Sequence, residues 1–408
     1  MKKHLPFVTG ICLMVFFSMA RITLADFKHI DSLIGSNDSV ILMSDTDECL
    51  YEKNAEKKLI PASSLKVLTA LSAFHSLGDD FHYKTEFYLD DQHNLTIKGY
   101  GDPLLISEII SAYCDSLYPI VRQMTNAVND IRFDDSYFGI ITIPGVTAGS
   151  PEPYDAANGA LCANFNTVAF FTDNQGNLVS DEEQTPLLPF VIKRIQSSGL
   201  KQGRIRLNTH ESRLYAAYLF KYFLEKKGLI IGGKICEASV PSPDRVLIHT
   251  CTSPYPLDEI ISKLLEFSNN FIANQLFLTM GARIKGPPAN LDKGVAALVS
   301  YAGSQMDPKE VILSEGSGLS RKNRISARNM DRLLKQFQSH RFLMKKKDGV
   351  YYKTGTLDGI STRVGYFTGL DNRIYRFVVF CNTPGKSSEK ITHMLFDRLK
   401  KQKGLSME

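Results

Sequence analysis

Near the start of the chain, residues 39–45 and 48–53 form two short, mostly apolar runs broken by the polar pair Thr46-Asp47. Such runs around a polar pair predict two strands joined by a turn. After Pro61 the spacing lengthens. Leu65, Leu68, Leu71, Phe74 and Leu77 recur every third residue and Gly78 follows them, which predicts one buried side of a helix and its end. From about residue 84 to 208 the texture changes to short strand-like runs with frequent Gly and Pro, and residues 85–89 and 94–97 alternate as exposed sheet does. Helical spacing returns at 212–227, closed by Gly228, and again at 257–265 and 271–280. The last third predicts strands at 349–356, 362–368 and 375–381, the last two joined at Leu370-Asp371-Asn372, and a final helix over about 387–401.

This order of elements predicts an α+β chain whose main sheet draws on both ends of the sequence. Two N-terminal and three C-terminal strands make a five-stranded antiparallel sheet flanked by helices. Residues 26–84 and 210–408 belong to that unit, and a mainly β insert occupies 85–209.

Composition narrows the picture. The chain has 408 residues, 43% hydrophobic and 22% charged, enough apolar material for a sizeable core. Trp is absent, so Phe and Tyr supply the large apolar surfaces. A net charge of +5 over this length is too dilute to indicate a nucleic-acid partner. It favours, modestly, a peripheral association with anionic polymers of the cell envelope.

Residues 1–25 read as a secretory signal. Met1-Lys2-Lys3-His4 is basic, residues 5–20 are mostly apolar, and Ala20 and Ala25 suit cleavage. An uncleaved anchor is the other reading. The run falls short of about 20 clean apolar residues and holds Gly10 and Ser18, which favours cleavage. Export leaves six cysteines, of which Cys236 and Cys251 lie on two predicted strands around the turn 241–244. A hairpin there would set the two sulfurs opposite each other as a disulfide; unpaired thiols are the alternative. No Cys-x-x-Cys or His-Glu-x-x-His spacing occurs, and no metal or cofactor is expected.

Three short motifs carry the chemistry. Ser63-Ser64-Leu65-Lys66 opens the apolar helix, so Ser63 and Lys66 share one face about a turn apart. A desolvated pocket and the positive helix end lower a lysine pKa, allowing Lys66 to take the Ser63 proton. Ser198-x-x-Lys201 and Ser387-x-x-Lys390 match the same pattern without an apolar helix behind them. Ser268-Asn269-Asn270 is the one Ser-x-Asn in the sequence and lies between two helical segments. There Ser268 can relay a proton between Lys66 and a leaving amine, and Asn270 can bond a substrate carbonyl. Lys353-Thr354-Gly355-Thr356 falls in a predicted strand. Lys353 and Thr354 suit a carboxylate, and Gly355 leaves room along the strand edge. The backbone N–H groups of Thr356 and Ser63 suit an oxyanion hole, whose single donors are worth ~3 kcal/mol. Each motif alone is common; in this order they are the S-x-x-K, S-x-N and K-T-G set of serine acyl-enzymes.

With these motifs in place, the segment Pro61-Ala-Ser-Ser-Leu-Lys-Val-Leu-Thr-Ala70 resembles the active-site block of class C low-molecular-mass penicillin-binding proteins, the DacB-type D-alanyl-D-alanine carboxypeptidase/endopeptidases. Gly101-Asp102-Pro103-Leu104 and the stretch from Ser314 to Arg321 are similar to further blocks of that family. The resemblance implies a serine β-lactamase/transpeptidase-like fold and periplasmic cleavage of D-Ala-D-Ala ends and crosslinks in peptidoglycan stem peptides. It also implies acylation by β-lactam antibiotics. Ser63 would be the nucleophile, Lys66 its base and Ser268 the proton relay, with Asn270, Lys353, Thr354, Gly355 and Thr356 binding substrate. Three departures bear on cleft shape. Glu315 stands where the family more usually has Asp, the span 323–352 is compressed and carries Lys345-Lys346-Lys347, and the insert is short. The lysine run reads as a solvated loop or as a contact with anionic wall polymer.

Two other functions fit the same motifs: a β-lactamase-like hydrolase, and a wall-binding protein that has lost activity. The first lacks a Glu-x-Glu-Leu-Asn-like segment for deacylation, and the second sits poorly with intact serine, lysine and K-T-G residues. His75, His82, His210 and His249 have no carboxylate at a spacing that indicates a Ser-His-Asp mechanism.

Overall fold

The computed structural model describes residues 28–240, 242 and 244–404; the predicted signal segment lies outside them. Its main sheet has six strands. β1 (Asp38–Met43) and β2 (Cys49–Lys53) come from the N-terminal end, and β13 (Lys345–Lys347), β14 (Val350–Leu357), β15 (Ile360–Thr368) and β16 (Ile374–Cys381) from the C-terminal end. The spatial order is β13-β14-β15-β16-β1-β2, antiparallel throughout. The five predicted strands are all present. The sixth, β13, is the lysine run expected to be a loop: it pairs Lys345 with Tyr352 and Lys347 with Val350 at the sheet edge. Its pairing uses backbone groups alone, while all three lysines are exposed, so an edge strand here leaves no apolar signature.

Both faces of this sheet are covered, which is why β1 and β16 read as continuous apolar runs. Ile41, Met43, Val378 and Phe380 face a core shared with α2 (Lys66–Leu77), α6 (Leu257–Glu266), α7 (Asn270–Lys285), α8 (Leu291–Gln305) and α9 (Ala327–Phe337). Val40, Leu42, Phe377 and Val379 face the other way, against α1 (Lys28–Asp31) and α10 (Ser388–Gly404). The helices α8 and α9 were not anticipated from the sequence.

A second sheet holds β3 (Lys84–Asp90), β4 (Leu95–Gly99), β6 (Ile131–Asp134), β11 (Ile235–Glu237) and β12 (Arg245–Thr252), ordered β11-β6-β4-β3-β12. Smaller sheets pair β5 (Ala127–Val128) with β10 (Ile230–Ile231), and β7 (Thr167–Thr172) with β8 (Leu178–Ser180) and β9 (Gln202–Arg206). The insert is not built from strands alone. It also carries α3 (Ser107–Met124) and α4 (Pro189–Ser198), and α3 buries Ile110, Cys114, Leu117 and Val121 at helical spacing. Pro119 inside α3 obscured that period. The segment 210–252, expected to belong with the main sheet, packs with the insert instead. α5 (Thr209–Lys226) places Tyr215, Phe220 and Leu224 in the insert's core, and β12 pairs with β3.

The same topology removes the expected Cys236–Cys251 disulfide. β11 pairs in parallel with β6 while β12 pairs with β3, so the two cysteines sit on opposite edges of the second sheet. Four strand steps of about 4.8 Å separate them, far beyond disulfide reach. All six cysteines of the described residues are free thiols. Thermal unfolding with and without dithiothreitol is expected to give the same midpoint, and Cys236→Ser to shift it by less than about 2 °C. Loss of a native disulfide would instead cost ~2–5 kcal/mol.

Candidate active site

The S-x-x-K segment begins as a 3-10 turn, Ala62–Leu65, that runs directly into α2. Ala62 holds a left-handed backbone (φ 48°), an unfavourable conformation for a residue with a Cβ. The surroundings fix it there. The Thr362 hydroxyl of β15 donates to the Pro61 carbonyl at 2.8 Å, and the Asn382 side chain bonds both backbone groups of Ile60. Gly355 lets β14 close on this turn, since a Cβ there would lie 2.7 Å from the Ser63 nitrogen. Gly318 (φ 82°) packs on its other side, and a Cβ there would come within 1.9 Å of the Ala62 carbonyl oxygen.

At the centre is the Lys66 amine, with 0% exposure. It lies 3.0 Å from Ser63 Oγ, 2.8 Å from Asn270 Oδ1 and 2.7 Å from the Ser317 carbonyl oxygen. Burial drives its pKa well below the ordinary lysine value, and the positive charge of Lys353 adds to that; the Glu315 carboxylate opposes it. The neutral amine that a general base must present is thereby favoured.

Lys353, 2% exposed, has its pKa lowered to about 7 by burial. It donates to Ser268 Oγ at 2.7 Å and to the Thr354 carbonyl at 2.6 Å. Ser268 is held with φ 55° in the link between α6 and α7. The described pairing therefore joins Ser268 to Lys353, while Lys66 is joined to Asn270. Among the described residues, the outer edge of β14 beyond Tyr352 has no strand partner, because β13 stops opposite that residue. Thr354 and Thr356 are exposed along this open edge, beside half-buried Ser63. Residues of all three motifs thus meet around Ser63. The two other Ser-x-x-Lys matches fall elsewhere: Ser198 Oγ donates to the Ile195 carbonyl at the end of α4, and Ser387 Oγ accepts from Lys390 N at the start of α10.

Several supporting residues had no role assigned from sequence. Glu315, fully buried, accepts from the backbone N–H groups of Ser317, Gly318 and Ser320, the Ser317 hydroxyl and the Asn323 amide. This shapes the loop so that the Ser317 carbonyl reaches Lys66. Asn274, one turn after Asn270, accepts from Gly316 N at 2.9 Å, and the Thr69 hydroxyl donates to the Gly316 carbonyl at 2.6 Å. The insert reaches the site through the turn Pro153–Asp155, whose Tyr154 carbonyl lies 3.5 Å from Asn270 Nδ2. Asp155 is buried there, and neither carboxylate oxygen has a hydrogen-bond partner. The block at 314–321 pointed to the Glu315 loop, but the parts played by the Ser317 and Tyr154 carbonyls leave no residue-type signal.

The model of the D-Ala-D-Ala carboxypeptidase 3 (S13) family matches residues 21–196 and 194–349. The D-alanyl-D-alanine carboxypeptidase of Actinomadura sp. (strain R39) is 24% identical over 411 residues, covering 82% of this chain and 76% of that protein. The D-alanyl-D-alanine carboxypeptidase DacB of Haemophilus influenzae is 24% identical over 416 residues, covering 85% and 86%. The crystal structure of penicillin binding protein 4 (dacB) from Haemophilus influenzae has the same fold, with a TM-score of 0.71 at 20% identity over 88% of this chain and 93% of that one. The chain belongs to the D-Ala-D-Ala carboxypeptidase 3 (S13) family.

Proposed function

We propose that this chain is a serine D-Ala-D-Ala carboxypeptidase/endopeptidase that cleaves peptidoglycan stem peptides and crosslinks through an acyl-enzyme on Ser63. The observation that carries the reading is the fully buried, pKa-depressed Lys66 amine 3.0 Å from Ser63 Oγ. Lys66 takes the Ser63 proton as Oγ attacks the penultimate D-Ala carbonyl. The tetrahedral oxyanion is held by the Ser63 and Thr356 N–H groups. Lys353 and the Thr354 hydroxyl hold the terminal carboxylate, and Ser268, bonded to Lys353, lies on the route by which a proton returns to the leaving amine. Water then hydrolyses the acyl-enzyme. β-Lactams acylate the same serine. The signal-like N-terminus supports work in the periplasm, at the polymer itself.

Glu315 weighs against a β-lactamase reading. Its two oxygens accept five hydrogen bonds from groups within residues 317–323, which commits it to loop structure rather than to activating water.

Ser63→Ala is expected to lower D-Ala release from a stem pentapeptide by at least about a thousandfold. It should also abolish the stable mass increment that benzylpenicillin adds to the Ser63 peptide. A Ser63→Ala protein that still takes up the drug would contradict the assignment.

The pH dependence follows from the two lysines. Lys66 acts neutral, so kcat/KM falls as pH drops through its depressed pKa. Lys353 acts as a cation, so kcat/KM for a substrate with a free carboxylate falls as pH rises through about 7. Lys353→Arg keeps its charge, and the residual activity of that variant is expected to lose the upper limb. An upper limb left in place would remove Lys353 as its source.

A further inference from the structure

At the β13 edge of the main sheet, a cavity of about 480 Å³ opens between β13, β14, β15 and α10. Four cationic side chains, Arg341, Lys346, Lys347 and Arg363, line it with the carboxylates of Asp348, Glu389 and Asp397 and with His393. Arg363 is the built element. It is 8% exposed, and its guanidinium lies 4.1 Å from the centre of the Tyr352 ring. Its Nη1 has one carboxylate contact, a long 3.3 Å bond to exposed Glu389, and its buried Nε has no partner. A guanidinium presents a planar fork of donors, and a buried donor left unbonded costs stability unless a ligand oxygen meets it. Among the described residues, no carboxylate lies within ion-pair distance of Lys345, Lys346 or Lys347.

We propose that this cavity is an anion-binding site that takes a carboxylate of the peptidoglycan polymer outside the catalytic cleft, docking the enzyme on the wall it cleaves. Arg363 supplies the directed contact, stiffened by its stack on Tyr352, and the β13 lysines supply the attraction. The site is set against the catalytic strand. Tyr352 directly precedes Lys353, and Arg363 stands opposite Thr354 in the β14–β15 register. The identity of the polymer rests on the function proposed above; the cavity and its charge do not.

The test is cosedimentation of the protein with intact sacculi after benzylpenicillin has blocked Ser63, so that retention reports contacts outside the cleft. Wild-type protein is expected to sediment. Arg363→Gln and the surface double variant K346Q/K347Q should each need about tenfold more sacculi for equal retention. Amidation of the sacculus carboxylates with a carbodiimide and ammonia should reduce wild-type retention to the level of the variants. Equal retention of wild type and K346Q/K347Q overturns the proposal, as does wild-type binding that survives amidation, which would assign retention to phosphate or glycan. Failure of the drug to acylate the protein counts against the acyl-serine function instead, and the difference in retention between wild type and K346Q/K347Q, whose clefts are identical, then reads the docking site.

Discussion

The arrangement around Ser63 depends on keeping one amine out of water. An ammonium is costly to bury, so a lysine at 0% exposure is favoured in its neutral form. Three oxygens at 2.7–3.0 Å fix its position, and each comes from a different segment: the 3-10 turn ahead of α2, the first turn of α7, and the loop after Ser314. Much of the nearby structure keeps those segments in place. Glu315 gathers the N–H groups of its own loop, Asn274 and Thr69 bond the two sides of Gly316, and Gly318 is small enough to touch Ala62. The unfavourable backbone of Ala62 persists because the packing around it permits no other course. A second buried lysine, Lys353, then acts on the first by charge alone, lowering the Lys66 pKa further. Burial thus pushes both lysines toward their neutral forms, and the Lys353 charge pushes Lys66 further.

What the sequence made legible was local and repetitive. The helix behind Ser63 and the strands on both sides of the main sheet follow from spacing alone, because each buries a regular face. The three motifs could be read because each keeps its chemistry within four residues. Long-range choices were not legible. Strands β11 and β12 are apolar runs flanking a Pro-rich turn, the sign of a hairpin, yet each finds a better partner elsewhere in the second sheet. Helix α3 was hidden by Pro119, and β13 by having only lysines. The bond between Ser268 and Lys353 joins two motifs 85 residues apart, which no single motif encodes. The supporting residues act mostly on backbone groups, where side-chain identity carries little information.

The insert is tied into the catalytic site more closely than its separate core implies. Arg206, at the end of β9, donates through its guanidinium to the carbonyls of Thr147, Ser150 and Asp155, and through its backbone N–H to that of Pro151. The segment from Thr147 to Asp155 has little regular structure of its own, so one residue satisfies four of its carbonyls and sets its path. Upstream, Gly145 (φ 99°) packs against Leu319 and Ser320 in the loop that positions Ser317. Downstream, the Tyr154 carbonyl reaches Asn270, whose other amide atom accepts from Lys66. The same stretch of insert thus bears on two of the three groups around the Lys66 amine. A backbone stretch without ladder hydrogen bonds would ordinarily move. Held by Arg206 along its length and meeting Asn270 through Tyr154, it ties the insert to the groups around the Lys66 amine.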